Sequence, residues 1–217
     1  YYSNIKEINI PNNISYIGEY AFSHCQQLQQ INITNESLLD TLEKSTFSYS
    51  SIKYFSIPPH LKEIGESVFY SCDKLQKVEI PQNSELKIIN KDAFSFSSIE
   101  YFSIPQHLTE ICQSAFQNCQ KLRTIEIASK SELKKIEKGA FQWSSIENIT
   151  IPSTLVELED GWCNNVTRLN SFTVDPNNPR YSNYDNKFII GKTSIEQDHY
   201  DVLIFCACDI EEVQIPN

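Results

Sequence analysis

The chain has 217 residues, of which 40% are hydrophobic and 21% are charged, and its formal net charge is −10 at pH 7. This acidity, without any stripe of lysine and arginine, excludes a nucleic-acid-binding protein, because phosphate backbones repel such a surface. It also argues against adsorption to anionic lipid, and no apolar run approaches the length of a membrane span, so no membrane insertion is predicted.

One short apolar motif recurs from the first residues onward. Its pattern is apolar-x-x-apolar-x-apolar, and the first eight copies start 23 or 24 residues apart. They begin at Ile5, Leu28, Ile52, Leu75, Ile99, Leu122, Ile146 and Leu169, and a ninth begins at Ile210. The last two apolar residues of each copy flank one polar residue, which predicts a short strand. Proline follows five of these strands and ends them, because it cannot donate to a ladder.

An aromatic series follows the strands. Phe22, Phe47, Phe69, Phe94, Phe116 and Phe141, and then Trp162, stand 25, 22, 25, 22, 25 and 21 residues apart. This alternation indicates an array of two slightly different units, each with a second apolar segment such as Leu61–Ile64 between strand and aromatic residue. One such unit has no core, but stacked units of nearly equal length share one. The sequence therefore predicts a solenoid with strands in parallel register.

The complete motif resembles the BspA-like leucine-rich repeats. It is seen in Leu75–Pro81, in Leu108–Ile111 and in Ala115-Phe116-Gln117-Asn118-Cys119, and the chain departs from the pattern at Trp162-Cys163, which replaces Ala-Phe. The resemblance implies a leucine-rich-repeat coil stack. One face would be a parallel sheet, and the other would hold short strands, turns, and 3-10 or helical turns. It also implies a surface-exposed protein of the kind that bacteria and parasitic protozoa use in adhesion and partner binding.

The array indicates one elongated domain over residues 1–217, because no boundary interrupts it. Regular coils are expected over about 5–168, an irregular coil with an inserted hairpin over 169–209, and the start of a further coil over 210–217. The hairpin should pair Lys187–Ile190 with Val202–Phe205. Methionine is absent and both ends look cut from a longer array, so the sequence is interpreted as a fragment of a larger protein.

The cysteines follow the same period. Cys25, Cys72 and Cys119 are each 47 residues apart, with serine at the matching position of the coils between. Two coils separate their backbones by about 9 to 10 Å, whereas a disulfide needs Cα atoms within about 7 Å. These three are predicted to be reduced, buried and structural. The pairing of Cys163, Cys206 and Cys208 stays open.

Catalytic and metal-binding patterns are not recognisable in the sequence. His60 and His107 recur at a spacing of 47, and we interpret them as turn residues copied by duplication. Asp175, Asn178, Asp185 and Asn186 in the irregular segment are interpreted as turn formers. Zinc, calcium and phosphate-loop motifs are absent from the sequence. The chain is predicted to be no enzyme and to need no cofactor or metal.

The polar strand positions predict a binding face. Residues between inward apolar positions point outward, and neighbouring coils lie about 4.8 Å apart. The predicted ligand-binding stripe is Tyr54, Lys77 and Tyr101, flanked by Lys53, Glu79, Glu100, Arg123 and Glu126. Tyrosine and arginine commonly anchor interfaces. The alternative is that Tyr101 matches Tyr54 through duplication alone.

These features together predict a non-catalytic recognition or adhesion module of a cell-surface protein. Its partner would be a protein, such as a host surface or matrix protein, bound through the sheet. An intracellular scaffold of the same fold is the alternative, favoured by the reduced cysteines. The loop Gly191–Asp201 of the hairpin fits either a specificity element or a tolerated insertion.

Overall fold

The computed structural model describes residues 3–185 and 187–206 as a stack of about seven coils followed by a small antiparallel sheet. The predicted solenoid is confirmed. Within these ranges the structure has strands and turns and no helix, and so none that could cross a membrane. The predictions for Asn186, Cys208, the ninth motif at Ile210 and the further coil at 210–217 lie outside the described residues.

The first strand of every coil contributes to one face, called here the first sheet face. Its strands are β1 (Glu7–Asn9), β3 (Gln30–Asn32), β5 (Tyr54–Ser56), β7 (Lys77–Glu79), β9 (Tyr101–Ile104), β11 (Thr124–Ile127), β13 (Asn148–Ile151) and β15 (Ser171–Val174). They pair in parallel as β1-β3, β5-β7 and β9-β11-β13-β15. Tyr54 lies opposite Lys77, and Tyr101 lies opposite Thr124. The predicted register is therefore confirmed.

The second apolar segment of every coil forms a two-residue strand. These strands are β2 (Tyr16–Ile17), β4 (Thr41–Leu42), β6 (Glu63–Ile64), β8 (Ile88–Ile89), β10 (Glu110–Ile111), β12 (Lys135–Ile136) and β14 (Glu157–Leu158). They join into one seven-stranded parallel sheet, called here the second sheet. The inward residue of each strand is buried and the outward one is not. These two-residue strands therefore form the sheet with the most strands, because every coil places its second apolar segment in register with that of the next coil.

The turns holding the phenylalanines form a third ladder between coils. The Phe69 amide donates to the Ala93 carbonyl at 2.8 Å, and the Phe94 amide donates to the Ala115 carbonyl at 2.8 Å. In each turn, two residues four positions apart have positive φ, as Ser67 (56°) and Ser71 (53°) do. This left-handed conformation is uncommon outside glycine. It prevents the 3-10 or helical turn that the sequence allowed, and leaves a tight turn instead.

The core is a file of stacked rings. Consecutive phenylalanines from Phe22 to Phe141 have ring centroids 5.1–5.7 Å apart and planes within 8–12° of parallel. All but Phe22, in the first described coil, are fully buried. Offset stacking of this kind adds to the free energy gained by burial. The predicted shared interior is confirmed.

The end of this file differs from the sequence-based assignment of Trp162. The Phe141 amide donates to the Trp162 carbonyl at 2.9 Å, as the Phe116 amide does to the Ala140 carbonyl. Trp162 therefore occupies the alanine position, and Cys163 occupies the phenylalanine position. The step from Phe141 is then 22 residues, which restores the alternation. The indole of Trp162 reaches into the core and meets Phe141 edge-on, with centroids 6.2 Å apart and planes at 89°.

Cysteine and serine alternate in a second buried file beside the rings. The Cys72 thiol donates to the Phe47 carbonyl at 3.1 Å and lies 3.5 Å from Ser50 Oγ. Cys119 repeats both contacts, with Ser97 Oγ at 3.4 Å. Burial raises the pKa of Cys72 to about 12 and that of Cys119 to about 11. Their predicted role as buried structural thiols is confirmed.

Ser144, the next residue in this buried series, leads to a stability prediction. Ser144 faces Val166, which stands where Cys72 and Cys119 stand in earlier coils, and the buried Ser144 hydroxyl has no hydrogen-bond partner. Replacing Ser144 by alanine should raise the free energy of unfolding by about 1 kcal/mol, because it removes an unsatisfied buried group. The matched change Ser97→Ala should lower it, since it removes the contact with Cys119. Urea unfolding of the two variants tests this, and equal signs would contradict it.

A three-stranded antiparallel sheet follows the coils. It comprises β16 (Tyr181–Tyr184), β17 (Phe188–Gly191) and β18 (Val202–Cys206). The predicted hairpin corresponds to β17 and β18, with a register shift between Ile189 and Ile190. Strand β16 was not predicted, since Tyr-Ser-Asn-Tyr has no apolar alternation. Phe205 packs on Trp162 and Phe172, with centroids 6.1 and 5.7 Å away, and so covers the end of the core.

The segment before β16 terminates the second sheet. The Leu158 amide donates to the Tyr181 hydroxyl at 2.9 Å, and Arg180 Nη1 donates to the Val156 carbonyl at 2.9 Å. In the preceding coils, the corresponding backbone groups of the second sheet form hydrogen bonds with the next coil. Asn178 is buried in the bend leading to this contact. Asp175 Oδ1 accepts the Asn177 amide at 2.8 Å, as expected of a turn former.

Candidate functional site

The centre of the predicted stripe is a three-residue cluster on β5 and β7. The Tyr54 hydroxyl donates to Glu79 Oε2, and Lys77 Nζ lies 3.3 Å from Glu79 Oε1. Lys77 Nζ also lies 5.8 Å from the centroid of the Tyr54 ring. Burial and the bond to Glu79 raise the pKa of Tyr54, while the bonds from Tyr54 and Lys77 lower the pKa of Glu79. The tyrosine is thus held in one position on the face.

A second copy of this cluster lies on β9 and β11. The Tyr101 hydroxyl donates to Glu126 Oε2, and burial followed by this bond raises the pKa of Tyr101. Thr124 stands where the first copy has Lys77, so the second copy lacks the cation. Tyr101 is 42% exposed. The structure therefore brings the stripe together as two tyrosine–glutamate pairs on the same face.

Residues that flank the stripe are joined from coil to coil by backbone hydrogen bonds. The Gln76 amide donates to the Lys53 carbonyl at 3.0 Å, and the Glu100 amide to the Gln76 carbonyl at 3.3 Å. The Arg123 amide in turn donates to the Glu100 carbonyl at 3.1 Å. The Arg123 side chain bonds Glu147 Oε1 at 3.4 Å, so its cation turns away from the tyrosines. A binding role for the stripe stays a prediction.

The recurrent histidines lie in exposed turns, as predicted. His60 Nδ1 is 3.0 Å from Glu85 Oε1, and His107 Nδ1 is 3.0 Å from Glu132 Oε1. Each pair joins neighbouring coils. The identical geometry in two coils indicates a surface contact copied by duplication.

A polar cluster on the second sheet was not foreseen. One ligand-type atom from each of Glu110, Cys112 and Glu137 lies within 4.8 Å of the others. Lys135 Nζ lies 2.7 Å from Glu137 Oε1 and 3.4 Å from Glu110 Oε1, and supplies the positive charge there. Burial alone would raise the pKa of Glu137, but bonds from Lys135 and the Gln113 amide hold it below its usual range. The arrangement is that of an ion-paired surface patch.

Sequence reasoning also missed a line of rings on the outer side of the turns, exposed except for the half-buried Tyr70. This aromatic row consists of His24, Tyr49, Tyr70 and Phe96. His24 and Tyr49 stack at 4.6 Å, Tyr49 and Tyr70 meet at 5.5 Å, and Tyr70 and Phe96 meet at 5.5 Å. The available signal was the residue one or two places after each core phenylalanine, which points away from the core.

A shallow groove of about 600 Å³ follows the first part of the aromatic row. It is lined by Glu19, Tyr20, Ser23, His24, Ser45, Ser48, Tyr49, Ser67 and Tyr70. Its walls are mainly aromatic and its remaining polar groups are mainly hydroxyls. Glu19 is the single carboxylate among these lining residues, so the groove is nearly neutral within an acidic chain.

Comparison with known proteins places the chain beside bacterial repeat proteins. The sequence pattern of the BspA type leucine rich repeat region matches in six copies, over residues 1–107 and 87–200. The pneumococcal vaccine antigen PcpA is similar in structure, with a TM-score of 0.66 and 24% identity over 86% of this chain and 44% of that one. None of the curated proteins compared matches the chain significantly.

Two further solved structures are similar. A leucine-rich repeat protein from Bacteroides ovatus has a TM-score of 0.61 and 24% identity, over 80% of this chain and 50% of that one. A leucine rich cell surface protein from Faecalibacterium prausnitzii has a TM-score of 0.50 and 18% identity, over 77% and 60%. At these identities the likeness is one of fold. The chain spans half or less of the first two proteins.

Proposed function

The chain belongs to the BspA-type leucine-rich repeat family, and from this premise we propose that it is a non-catalytic recognition module that binds a partner protein through the first sheet face. Solenoids of this kind present extended surfaces to protein partners. The proposal treats residues 1–217 as one domain of a larger cell-surface protein. Its partner would be a host surface or matrix protein.

The observation that carries the proposal is the pair of tyrosine–glutamate contacts on this face. Tyr54 bonded to Glu79 and Tyr101 bonded to Glu126 recur two coils apart. Each ring is fixed before a partner arrives, so little side-chain entropy remains to be lost on binding. Fixed tyrosines are effective anchors because they combine a large apolar ring with a polar tip.

The surface location rests on the family resemblance. One solved neighbour is a vaccine antigen, and another is named a cell surface protein. An intracellular scaffold is the alternative, which the reduced thiols of Cys72 and Cys119 favour. Both thiols are fully buried, and burial protects them from oxidation in either compartment.

Replacing both Tyr54 and Tyr101 by alanine should weaken capture of the partner at least about tenfold, because interface anchors carry most of the binding energy. The melting curve should hardly change, since neither ring belongs to the core. Capture is measured on a panel of immobilised extracellular matrix proteins and solubilised host surface proteins. Tyr16→Ala is the matched control, since Tyr16 is 54% exposed on the second sheet. Equal capture by the double variant would contradict the assigned site.

A further inference from the structure

The groove beside the aromatic row has a chemistry distinct from the rest of the surface. Tyr20, Tyr49 and Tyr70 offer ring edges and hydroxyls, and Glu19 is the one carboxylate among the lining residues. Such a groove suits an uncharged ligand with apolar rings and many hydrogen-bond acceptors. We propose that it binds a proline-rich peptide segment in the polyproline II conformation, a site separate from the first sheet face.

The ligand class follows from what polyproline II offers. Its backbone makes no internal hydrogen bonds, so its carbonyls are free to accept from the tyrosine hydroxyls of the groove. Aromatic-lined grooves are the surfaces on which such segments dock, because the helix is already formed and loses little entropy. An acidic peptide would find no lysine or arginine among the lining residues, and a basic peptide would find only the single carboxylate of Glu19.

The orientation of the rings favours prolines over sugars. His24 and Tyr49 are stacked at 5° and so cover each other's faces. The next two contacts are steeply inclined, Tyr49 to Tyr70 at 63° and Tyr70 to Phe96 at 60°. Sugar rings need an open aromatic face, whereas prolines fit into the notches between inclined rings.

The spacing of the coils also matches the ligand. Neighbouring coils are about 4.8 Å apart, so two coils advance about 9.6 Å. Polyproline II rises about 3.1 Å per residue, so three residues advance about 9.3 Å. Prolines three residues apart therefore match Tyr49 and Phe96, which stand at equivalent positions two coils apart.

The proposed binding site ends at Asn118, where the aromatic row is interrupted. It occupies the position that Phe96 has in the preceding coil and Trp143 in the following one, and all three residues have positive φ. The Asn118 amide donates to the Gln142 carbonyl, next to Trp143. Trp143 is 51% exposed but separated from the row by this asparagine. Trp143 is therefore a matched control, an exposed ring at an equivalent position outside the proposed site.

The test measures fluorescence anisotropy of a labelled oligoproline peptide, with a glycine–serine peptide of equal length as the reference. Tyr49→Asn should weaken oligoproline binding at least about tenfold, because it removes a central ring. It should keep the backbone, since Asn118 adopts the same left-handed conformation. Trp143→Asn should leave the affinity unchanged. Asn118→Tyr should tighten binding severalfold by joining Phe96 to Trp143.

Several outcomes would overturn this inference. They are no preference for oligoproline over the reference peptide, equal losses in Tyr49→Asn and Trp143→Asn, or unchanged affinity in Asn118→Tyr. Binding of a labelled cello-oligosaccharide in place of oligoproline would assign the row to glycan and overturn it as well. The double variant of Tyr54 and Tyr101 should bind oligoproline normally, so a failure here is distinguishable from a failure of the sheet-face proposal.

Discussion

Phe69→Ala is expected to lower the free energy of unfolding by about 3 to 5 kcal/mol. Phe69 is fully buried and stacks between Phe47 and Phe94, with centroids 5.7 and 5.2 Å away. Phe55 contacts it edge-on at 4.8 Å. Alanine would leave a cavity bordered by three rings, each held by its own coil, so the site has little freedom to collapse.

The effect should extend beyond one coil, because coils in a solenoid gain stability from their neighbours. Urea unfolding followed by circular dichroism measures the loss. Phe96→Ala is the control within the array, since Phe96 is 40% exposed and lies in the aromatic row; its cost should stay within about 1 kcal/mol. Comparable losses for the two variants would contradict the stacked core.

Asn178→Ala should lower the free energy of unfolding by about 3 kcal/mol. The buried Asn178 amide donates to the carbonyls of Pro152 and Leu155 at 2.7 and 2.9 Å. Its Oδ1 accepts the amides of Arg180 and Tyr181 at 2.9 and 2.7 Å. Alanine would leave these four backbone groups without this partner. It would also release the bend that sets Arg180 and Tyr181 against the edge of the second sheet.

The neighbouring change Asn177→Ala provides the comparison. Asn177 is exposed and bonds only Asp175 through its side chain, so its loss should be within about 0.5 kcal/mol. Hydrogen exchange should further show that Asn178→Ala loosens β14 before β8, because the bend protects that end of the second sheet. A uniform loss of protection across the sheet would contradict the capping role.

The candidate site could be predicted in part. The register of Tyr54 against Lys77 follows from the 23- and 24-residue steps of the apolar motif, because coils of nearly equal length bring the same positions side by side. The contacts of Glu79 with both side chains, and the turn of Arg123 toward Glu147, depend on rotamers that spacing does not specify. The aromatic row was missed because its residues sit at unequal distances from the core phenylalanines, with Tyr70 one place after Phe69 and Tyr49 two places after Phe47.

The seven-coil stack, its parallel register and its file of phenylalanines were determined by the sequence alone, because every coil repeats the same apolar spacing and must cover its neighbour's open face. The place of the Trp162 indole in the core, the strand β16 and the bend at Asn178 were decided only by the tertiary structure. Over residues 175–185 and 187–206 the described chain departs from the repeat, so it does not supply the partners that a regular coil would. The backbone groups and core surface left there are satisfied by whichever local side chains reach them, and no repeat encodes that choice.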